Sequence, residues 1–355
     1  MTPDPSLQPT VLNGDPGPQY ASAVRLWQGI PGIERAPGGA LWAVWYSGGK
    51  GEGPDNYVVL ARSEDDGRTW RNPLFVVDPP GKVRAYDPCL WLDPRGRLWL
   101  FWAQSEEWYD GRAGVWGVQC ADPDSPRPAW SAPRRLANGV MMNKPTVLAT
   151  GEWLMPAAVW DRDPRRPDLA AERHSNVYVS RDEGQTWTWL GGAETPQRAF
   201  DEHMVVERRD GSLWMLIRTQ YGVGESVSLD RGRTWSEGRP SAIPGPNSRF
   251  FIRRLRSGRL LLVNHYGFTG RSHLTAMLSE DDGRTWPARL LLDERKAVSY
   301  PDGIEAPDGR LFIIYDFNRQ SDREILLAVL REEDILSGRC VSPDARLRVC
   351  VDRAG

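Results

Sequence analysis

SEDDGRTW occupies residues 63–70 and returns letter for letter at 279–286. The same frame recurs as SRDEGQTW at 180–187 and SLDRGRTW at 228–235. In such a turn the Asp accepts hydrogen bonds from nearby backbone amides. Gly supplies a positive φ, Ser and Thr satisfy further polar groups, and Trp folds back onto a sheet. The four copies read as folding staples, not as chemistry. A calcium loop would need carboxylates at alternate positions and a terminal Glu.

A second motif repeats around the first: a Gly turn, then Leu and bulky apolar residues. It appears as PGGALWAVW (37–45), PRGRLWLFW (94–102), TGEWLMPAA (150–158), DGSLWMLIR (210–218), SGRLLLVNH (257–265) and DGRLFIIYD (308–316). With Leu41, Leu98, Leu154, Leu213, Leu260 and Leu311 as markers, the gaps are 57, 56, 59, 47 and 51 residues. Six units of this size fill the chain, and each has room for four short strands. The 17 Trp, 35 Gly and 29 Pro of the sequence suit strands and turns. Radial repetition of four-stranded sheets is a β-propeller. The expected fold is therefore all-β, a single six-bladed propeller over 1–355, with about 1–20 irregular. The Asp-rich turn falls between the third and fourth strands of a blade. The second unit ends in PAWSAPRRL (128–136), which keeps only the Trp of the staple. The segment around 20–28 is expected to close the ring by completing the last blade.

The formal net charge of -2, with both signs interspersed, leaves no footprint for nucleic acid or an anionic membrane. The opening residues contain no apolar run that reads as a secretory signal, and the expectation is a cytoplasmic chain. Cys89, Cys120, Cys340 and Cys350 form no metal-binding pattern and read as ordinary thiols, with Cys340 and Cys350 the pair placed to bridge. Four dispersed His offer no metal motif, so neither metal nor cofactor is expected.

With four S-x-D-x-G-x-x-W boxes on a six-fold repeat, the chain resembles the sialidase (neuraminidase) superfamily, from about residue 25 to 335. AYDPCLWLDPRGRLWLFW (85–102), MMNKPTVLATGEWLMPAA (141–158) and YDFNRQSDREILLAVLREEDI (315–335) are similar to its divergent BNR repeat-like branch. The resemblance implies a glycosidase with a Tyr nucleophile, a Glu base, an acid/base on an early loop and arginines gripping a sugar carboxylate. A phenol suits an anionic substrate, which would repel a carboxylate nucleophile. In DEHMVVERRDGSLWMLIRT (201–219) the base falls on Glu202 and one arginine on Arg218. GRSHLTAMLSEDDGRTW (270–286) places another at Arg271, and AVSYPDGIEAPDGRLF (297–312) places the nucleophile at Tyr300. The loop SGGKGEGPDNY (47–57) carries the acid/base, with Glu52 the choice and Asp55 the second.

One departure stands out. The family's first arginine belongs to an R-I-P triplet, and WQGIPGIERAP (27–37) has Gly29 there. Glycine cannot replace a bidentate guanidinium contact. Another cation would have to reach in, from Lys144, Arg84, Arg249 or Arg319.

The residues read by themselves add candidates. Glu202 precedes an apolar run and opens an inner strand, and Arg218 ends a strongly apolar one. Asp87, Lys144, His203 and Arg319 are further polar groups expected to face the central funnel. Trp108 and Trp116, outside the repeated motifs, are candidate sugar-stacking platforms. The charged run 161–174 is a candidate rim. The functional expectation is an exo-acting glycoside hydrolase on an oligosaccharide or glycoconjugate with a terminal acidic sugar. The alternatives are a carbohydrate-binding propeller without catalysis, and a lyase or other glycosidase using His203 as base.

Overall fold

The computed structural model describes residues 4–106, 113–160 and 167–355. Six four-stranded antiparallel sheets, each made of consecutive strands, form a six-bladed β-propeller. The innermost strands are Trp27–Arg35, Val83–Leu92, Thr146–Val147, Arg198–Glu207, Phe251–Arg254 and Val298–Glu305. The Leu markers all fall at the start of a blade's second strand, and each is 0–1% exposed. They lie there because the Gly turn delivers the chain into the strand that is covered on both faces by neighbouring blades. The same packing buries Trp42, Trp45, Trp99 and Trp102, the largest fully enclosed side chains. Their indole N–H groups are satisfied: Trp42 bonds the Pro123 carbonyl, Trp45 bonds Gln28 and Trp99 bonds Asp93. Burying such rings supplies much of the hydrophobic drive, and the polar tip must then find a partner.

The Asp-rich turns join third to fourth strands in blades one, three, four and five. In the first, Asp65 accepts from Thr69 N at 2.8 Å, Thr69 Oγ1 at 2.7 Å and Ser63 Oγ at 2.8 Å. Ser63 Oγ in turn accepts from Gly67 N at 2.9 Å. The other three turns repeat the Asp–Thr and Gly–Ser bonds. Two successive residues take positive φ in every copy, for example Asp66 at 57° and Gly67 at 80°. In blade six the short helix Glu332–Ser337 replaces the staple.

Ring closure differs from expectation. The outer strand of blade six is Arg346–Arg353, drawn from the end of the chain and not from 20–28. The segment 18–24 instead makes two short 3-10 turns, which leave no ladder to offer. The two ends still meet. Arg25 lies 3.0 Å from Asp352, Ser22 donates to Asp352 at 2.6 Å, and Gly355 N donates to the Ser22 carbonyl at 2.9 Å. The seam is sealed by apolar packing of Ile33 and Trp45 against Ile304, Phe312 and Ile314. Cys89 and Cys120 are buried, Cys340 and Cys350 exposed, and all four are free thiols.

One irregularity positions everything that follows. Four inner strands break register at one level: between Gly29 and Gly32, Tyr86 and Cys89, Asp201 and Met204, and Ser299 and Asp302. Each break carries positive-φ residues other than Gly: Ile30, Asp87, Asp201 with Glu202, and Tyr300. A bulge re-aims a side chain that regular alternation would bury between blades. Left-handed backbone at a non-Gly residue costs roughly 1–3 kcal/mol and persists where the surroundings impose it.

Candidate active site

The bulges bring Tyr300 of blade six against Glu202 of blade four. The Tyr300 hydroxyl donates to Glu202 Oε1 at 3.0 Å. Arg218, on the strand paired with Glu202's, donates through one nitrogen to Glu202 Oε1 at 2.6 Å and to the Tyr300 oxygen at 3.0 Å. The other side of that guanidinium is fixed by Asn247, which accepts from Arg218 Nε at 2.6 Å. Asn143 donates to the carbonyls of Glu202 at 2.8 Å and His203 at 3.1 Å, and so pins the strained backbone. Glu202 Oε2 is buried and accepts no hydrogen bond from any described residue.

Two more guanidinium groups flank the phenol. The Arg271 and Arg319 Cζ atoms lie 5.1 and 5.0 Å from the centre of the Tyr300 ring. The Arg271 guanidinium makes no hydrogen bond or ion pair to a described residue. Arg319 is 3.2 Å from Glu52 and 3.8 Å from Asp316. Burial raises the Tyr300 pKa, the Glu202 charge adds to it, and Arg218, Arg271 and Arg319 oppose both. The resting phenol therefore keeps its proton, with an acceptor already bonded to it. Beside this cluster opens a cleft of about 580 Å³ whose lining includes Trp27, Glu52, Arg271, Ser299, Asn318 and Arg319.

Of the sequence candidates, Tyr300, Glu202, Arg218, Arg271, Arg319 and Glu52 thus converge. Asp87 is buried at the blade-two bulge. Burial pushes its pKa up to about 8, with Glu52 and Glu202 adding to the shift and Arg84 and Arg249 opposing it. It stands in the site as a neutral carboxylic acid at neutral pH.

Three candidates lie elsewhere. His203 does not face the cleft. Its Nε2 meets the Asn176 carbonyl at 2.7 Å, and burial lowers its pKa to about 4. The pairing is interrupted between Asp201 and Met204, and within that interruption His203 turns to the Asn176 carbonyl and away from the cleft. Lys144 does not face the cleft either. Its long stem carries Nζ to the carbonyls of Ile33 at 2.5 Å and Leu90 at 2.7 Å, and to Asp302 at 3.0 Å. It ties three inner strands together. Asp55 is exposed and packs beside Gly49, outside the cleft lining, so Glu52 is the acidic residue that the loop presents.

Arg84 stacks on the Tyr86 ring at 3.7 Å, and Arg249 binds Asn143 and the carbonyls of Met142 and Pro31 inside the channel. Neither fills the place left at Gly29. Trp116 is 3% exposed and belongs to the core shared by the first two blades, so it offers no stacking surface. Trp108 and residues 161–166 of the charged run lie outside the described residues; 167–172 form a short 3-10 helix.

Sequence reasoning missed Asn143, Asn247 and Trp27, since a single Asn or Trp in a strand-rich chain carries no distinguishing signal. A larger hollow of about 690 Å³ opens at the other mouth of the channel, where the inner strands end. Its Arg209 and Arg254 are occupied by Asp282, and no Tyr lines it, so its chemistry is poorer despite its size.

Comparison with known proteins bears on the family and the fold. A sequence profile of the BNR repeat-like domain matches residues 39–313. The curated "Sialidase" of Micromonospora viridifaciens is 26% identical over 336 residues, covering 81% of this chain and 49% of that protein. The "Sialidase" of Paraclostridium sordellii is 25% identical over 240 residues, 58% of this chain and 56% of that one. The chain thus spans about half the length of the curated relatives it matches. Among solved structures, the intramolecular trans-sialidase from Ruminococcus gnavus superposes with TM-score 0.66 at 15% identity, covering 89% of this chain and 96% of that one. The α-L-arabinofuranosidase from Fusarium graminearum gives TM-score 0.61 at 13% identity, covering 93% and 99%. These two likenesses speak for the fold alone. On the profile match, the curated relatives and the six-bladed architecture together, the chain belongs to the BNR repeat-like, sialidase-like family.

Proposed function

We propose that the protein is an exo-acting glycoside hydrolase that removes a terminal acidic sugar through a tyrosine nucleophile. The observation that carries this reading is the bonded trio of Tyr300, Glu202 and Arg218 beside a cleft with an unpaired Arg271. The Tyr300 oxygen attacks the anomeric carbon while its proton passes to Glu202 along the existing bond. The bond from the anomeric carbon to the leaving oxygen breaks, and that oxygen takes a proton from Glu52. Water then attacks the glycosyl–tyrosine and loses a proton to Glu52. The tyrosine oxygen departs and regains its proton from Glu202. Arg218 stabilises negative charge on both partners, as a preorganised donor should. Arg271 and Arg319 supply the field that favours an anionic sugar over a neutral one.

The curated sialidases support an acidic-sugar glycosidase. The reading as a binding propeller drew its force from Gly29, and Arg319 weakens it by bringing a cation to that side of the cleft. The lyase reading needed His203 as base, and that ring faces Asn176. A screen of 4-methylumbelliferyl glycosides, with N-acetylneuraminides, uronides and neutral sugars, tests the proposal. Turnover of an acidic glycoside is the expected result. Turnover confined to neutral glycosides, or of none of them, would defeat it.

A further inference from the structure

Gly29 has an ordinary φ outside the left-handed region, so the backbone does not require glycine there. The neighbouring space does. A Cβ at position 29 would lie 2.2 Å from Arg319 Cδ and 2.6 Å from its Cγ. Arg319 therefore occupies the volume that a side chain at 29 would fill. Its guanidinium passes between two rings, with Cζ 5.8 Å from the centre of Trp27 and 5.0 Å from that of Tyr300. Such stacking keeps the planar group in a defined direction.

The two carboxylates near Arg319 differ in kind. Asp316 is fully buried and already engaged: it accepts from Ser299 Oγ at 2.6 Å and from Ile30 N at 2.9 Å. Glu52 sits on the cleft wall, its side chain 28% exposed, and its one side-chain hydrogen bond among the described residues is accepted from Arg319 at 3.2 Å. The turn that carries Glu52 is tied down by Asn56, which donates to the Gly51 carbonyl at 3.0 Å and accepts from Gly53 N at 2.6 Å. Among the described residues the cleft thus holds one unpaired guanidinium, Arg271, and one, Arg319, that keeps buried Asp316 at 3.8 Å while its hydrogen-bonded partner is a solvent-facing carboxylate that an incoming anion can replace.

We propose that Arg319 is the anion clasp of this cleft, and that Glu52 is its resident counter-ion, displaced when the carboxylate of an acidic sugar binds. This rests on the reading of the cleft as an acidic-sugar site and adds which cation grips the acid and what holds that cation beforehand. Displaced from Arg319, the Glu52 carboxylate takes up a proton from solvent and faces the leaving oxygen as an acid, so the acid group becomes available when the right substrate is seated. A ligand shifts such an arrangement only by its differential affinity for the two states, which here is its carboxylate's gain on Arg319 over that of Glu52.

Calorimetric titration with N-acetylneuraminate and glucuronate, against N-acetylmannosamine and glucose as neutral counterparts, tests this without reading turnover. The wild type should bind the acids and prefer them to the neutral sugars. Arg319→Ala should weaken acid binding by about 30-fold or more, as expected for truncating one partner of a charge pair. Glu52→Gln should tighten it, by about threefold or more, because the internal competitor is gone. A purely structural ion pair would move both variants in the same direction. Gly29→Ala, whose Cβ expels Arg319, should match Arg319→Ala. The double variant Gly29→Arg with Arg319→Ala returns a guanidinium to the vacated volume and should recover binding. Equal binding of acids and neutral sugars by the wild type would overturn the proposal. So would unchanged acid affinity in Arg319→Ala, weaker acid affinity in Glu52→Gln, or a folded double variant that stays weak. A protein that binds acids as described yet hydrolyses no glycoside would refute the hydrolase reading and leave this one standing.

Discussion

Replacing Tyr300 by Phe removes one oxygen and keeps the ring between Arg271 and Arg319. The lost oxygen donates to Glu202 and accepts from Arg218, each at 3.0 Å. Glu202 and Arg218 remain bonded to each other at 2.6 Å, so neither charge is left unpaired. The stability cost is then that of one ordinary buried hydrogen-bonding group, about 1 kcal/mol. In a domain of this size that lowers Tm by about 2–4 °C at most. The catalytic cost is of another order, because the nucleophile itself has gone. We expect kcat on the acidic glycoside found by screening to fall by at least about 10³-fold, which is about 4 kcal/mol of barrier. KM should change little, since the arginines that hold the sugar are intact. Release of 4-methylumbelliferone gives the rates, and thermal unfolding gives the stability. A variant that keeps kcat within tenfold of wild type, with an unchanged melt, would refute the assignment of Tyr300 as nucleophile.

The Asp staples should behave as structure alone: Asp65→Ala loses bonds to Thr69, Ser63 and Arg68 N, and should cost about 1–2 kcal/mol in thermal or urea unfolding with kcat unchanged. Hydrogen bonds chiefly from Thr186, Thr234 and Thr285 lower the pKa of Asp182, Asp230 and Asp281 to about 2; for Asp65 burial is the largest single influence and raises the value, but the bonds from Thr69, Ser63 and Arg68 together outweigh it and bring it to about 2 as well. The folded values lie below the unfolded ones, so this stabilisation is present above about pH 4 and is lost as pH falls toward 2. Melts across that window should drop steeply in the wild type and less so in staple variants. Asp87 has the opposite sign: burial first, then Glu52 and Glu202, lift it to about 8 in the folded protein. Its contribution turns unfavourable as pH rises above its unfolded value of about 4. Asp87→Asn should therefore raise Tm near pH 7.5, with the gain vanishing near pH 4; an equal effect at both would contradict the shift. Arg271→Ala should raise KM for an acidic glycoside by about tenfold or more and leave KM for a neutral one alone.

The fold was legible because its signals are local. Each staple needs eight neighbouring residues, and each Leu marker needs one turn and one strand. Glu202, Arg218, Arg271 and Tyr300 were legible by resemblance, each inside a contiguous motif. What joins them was not legible. The bulges at Ile30, Asp87, Glu202 and Tyr300 arise from how inner strands crowd the hub, and no residue type marks them. Gly29 and Arg319 are far apart in the chain, and only the shared volume shows that one makes room for the other. His203 and Lys144 had suitable chemistry but the wrong direction: one sits on the opposite strand face, and the other has a stem long enough to reach the channel carbonyls. Ring closure failed as an expectation because the strand Arg346–Arg353, although its Leu347, Val349 and Val351 alternate with polar residues, follows the third strand of blade six through the helix Glu332–Ser337 and not through a staple.

The account stands on Tyr300 forming a bond to sugar. Mass spectrometry after exposure to an activated, fluorine-substituted glycoside of the preferred acidic sugar reads that bond directly. The fluorine slows both formation and hydrolysis of the intermediate, and the activated leaving group restores the first step alone, so the intermediate accumulates. The account predicts one added glycosyl mass, located on a peptide containing Tyr300 and absent in Tyr300→Phe. Steady turnover of the parent substrate with the label on another residue would contradict it.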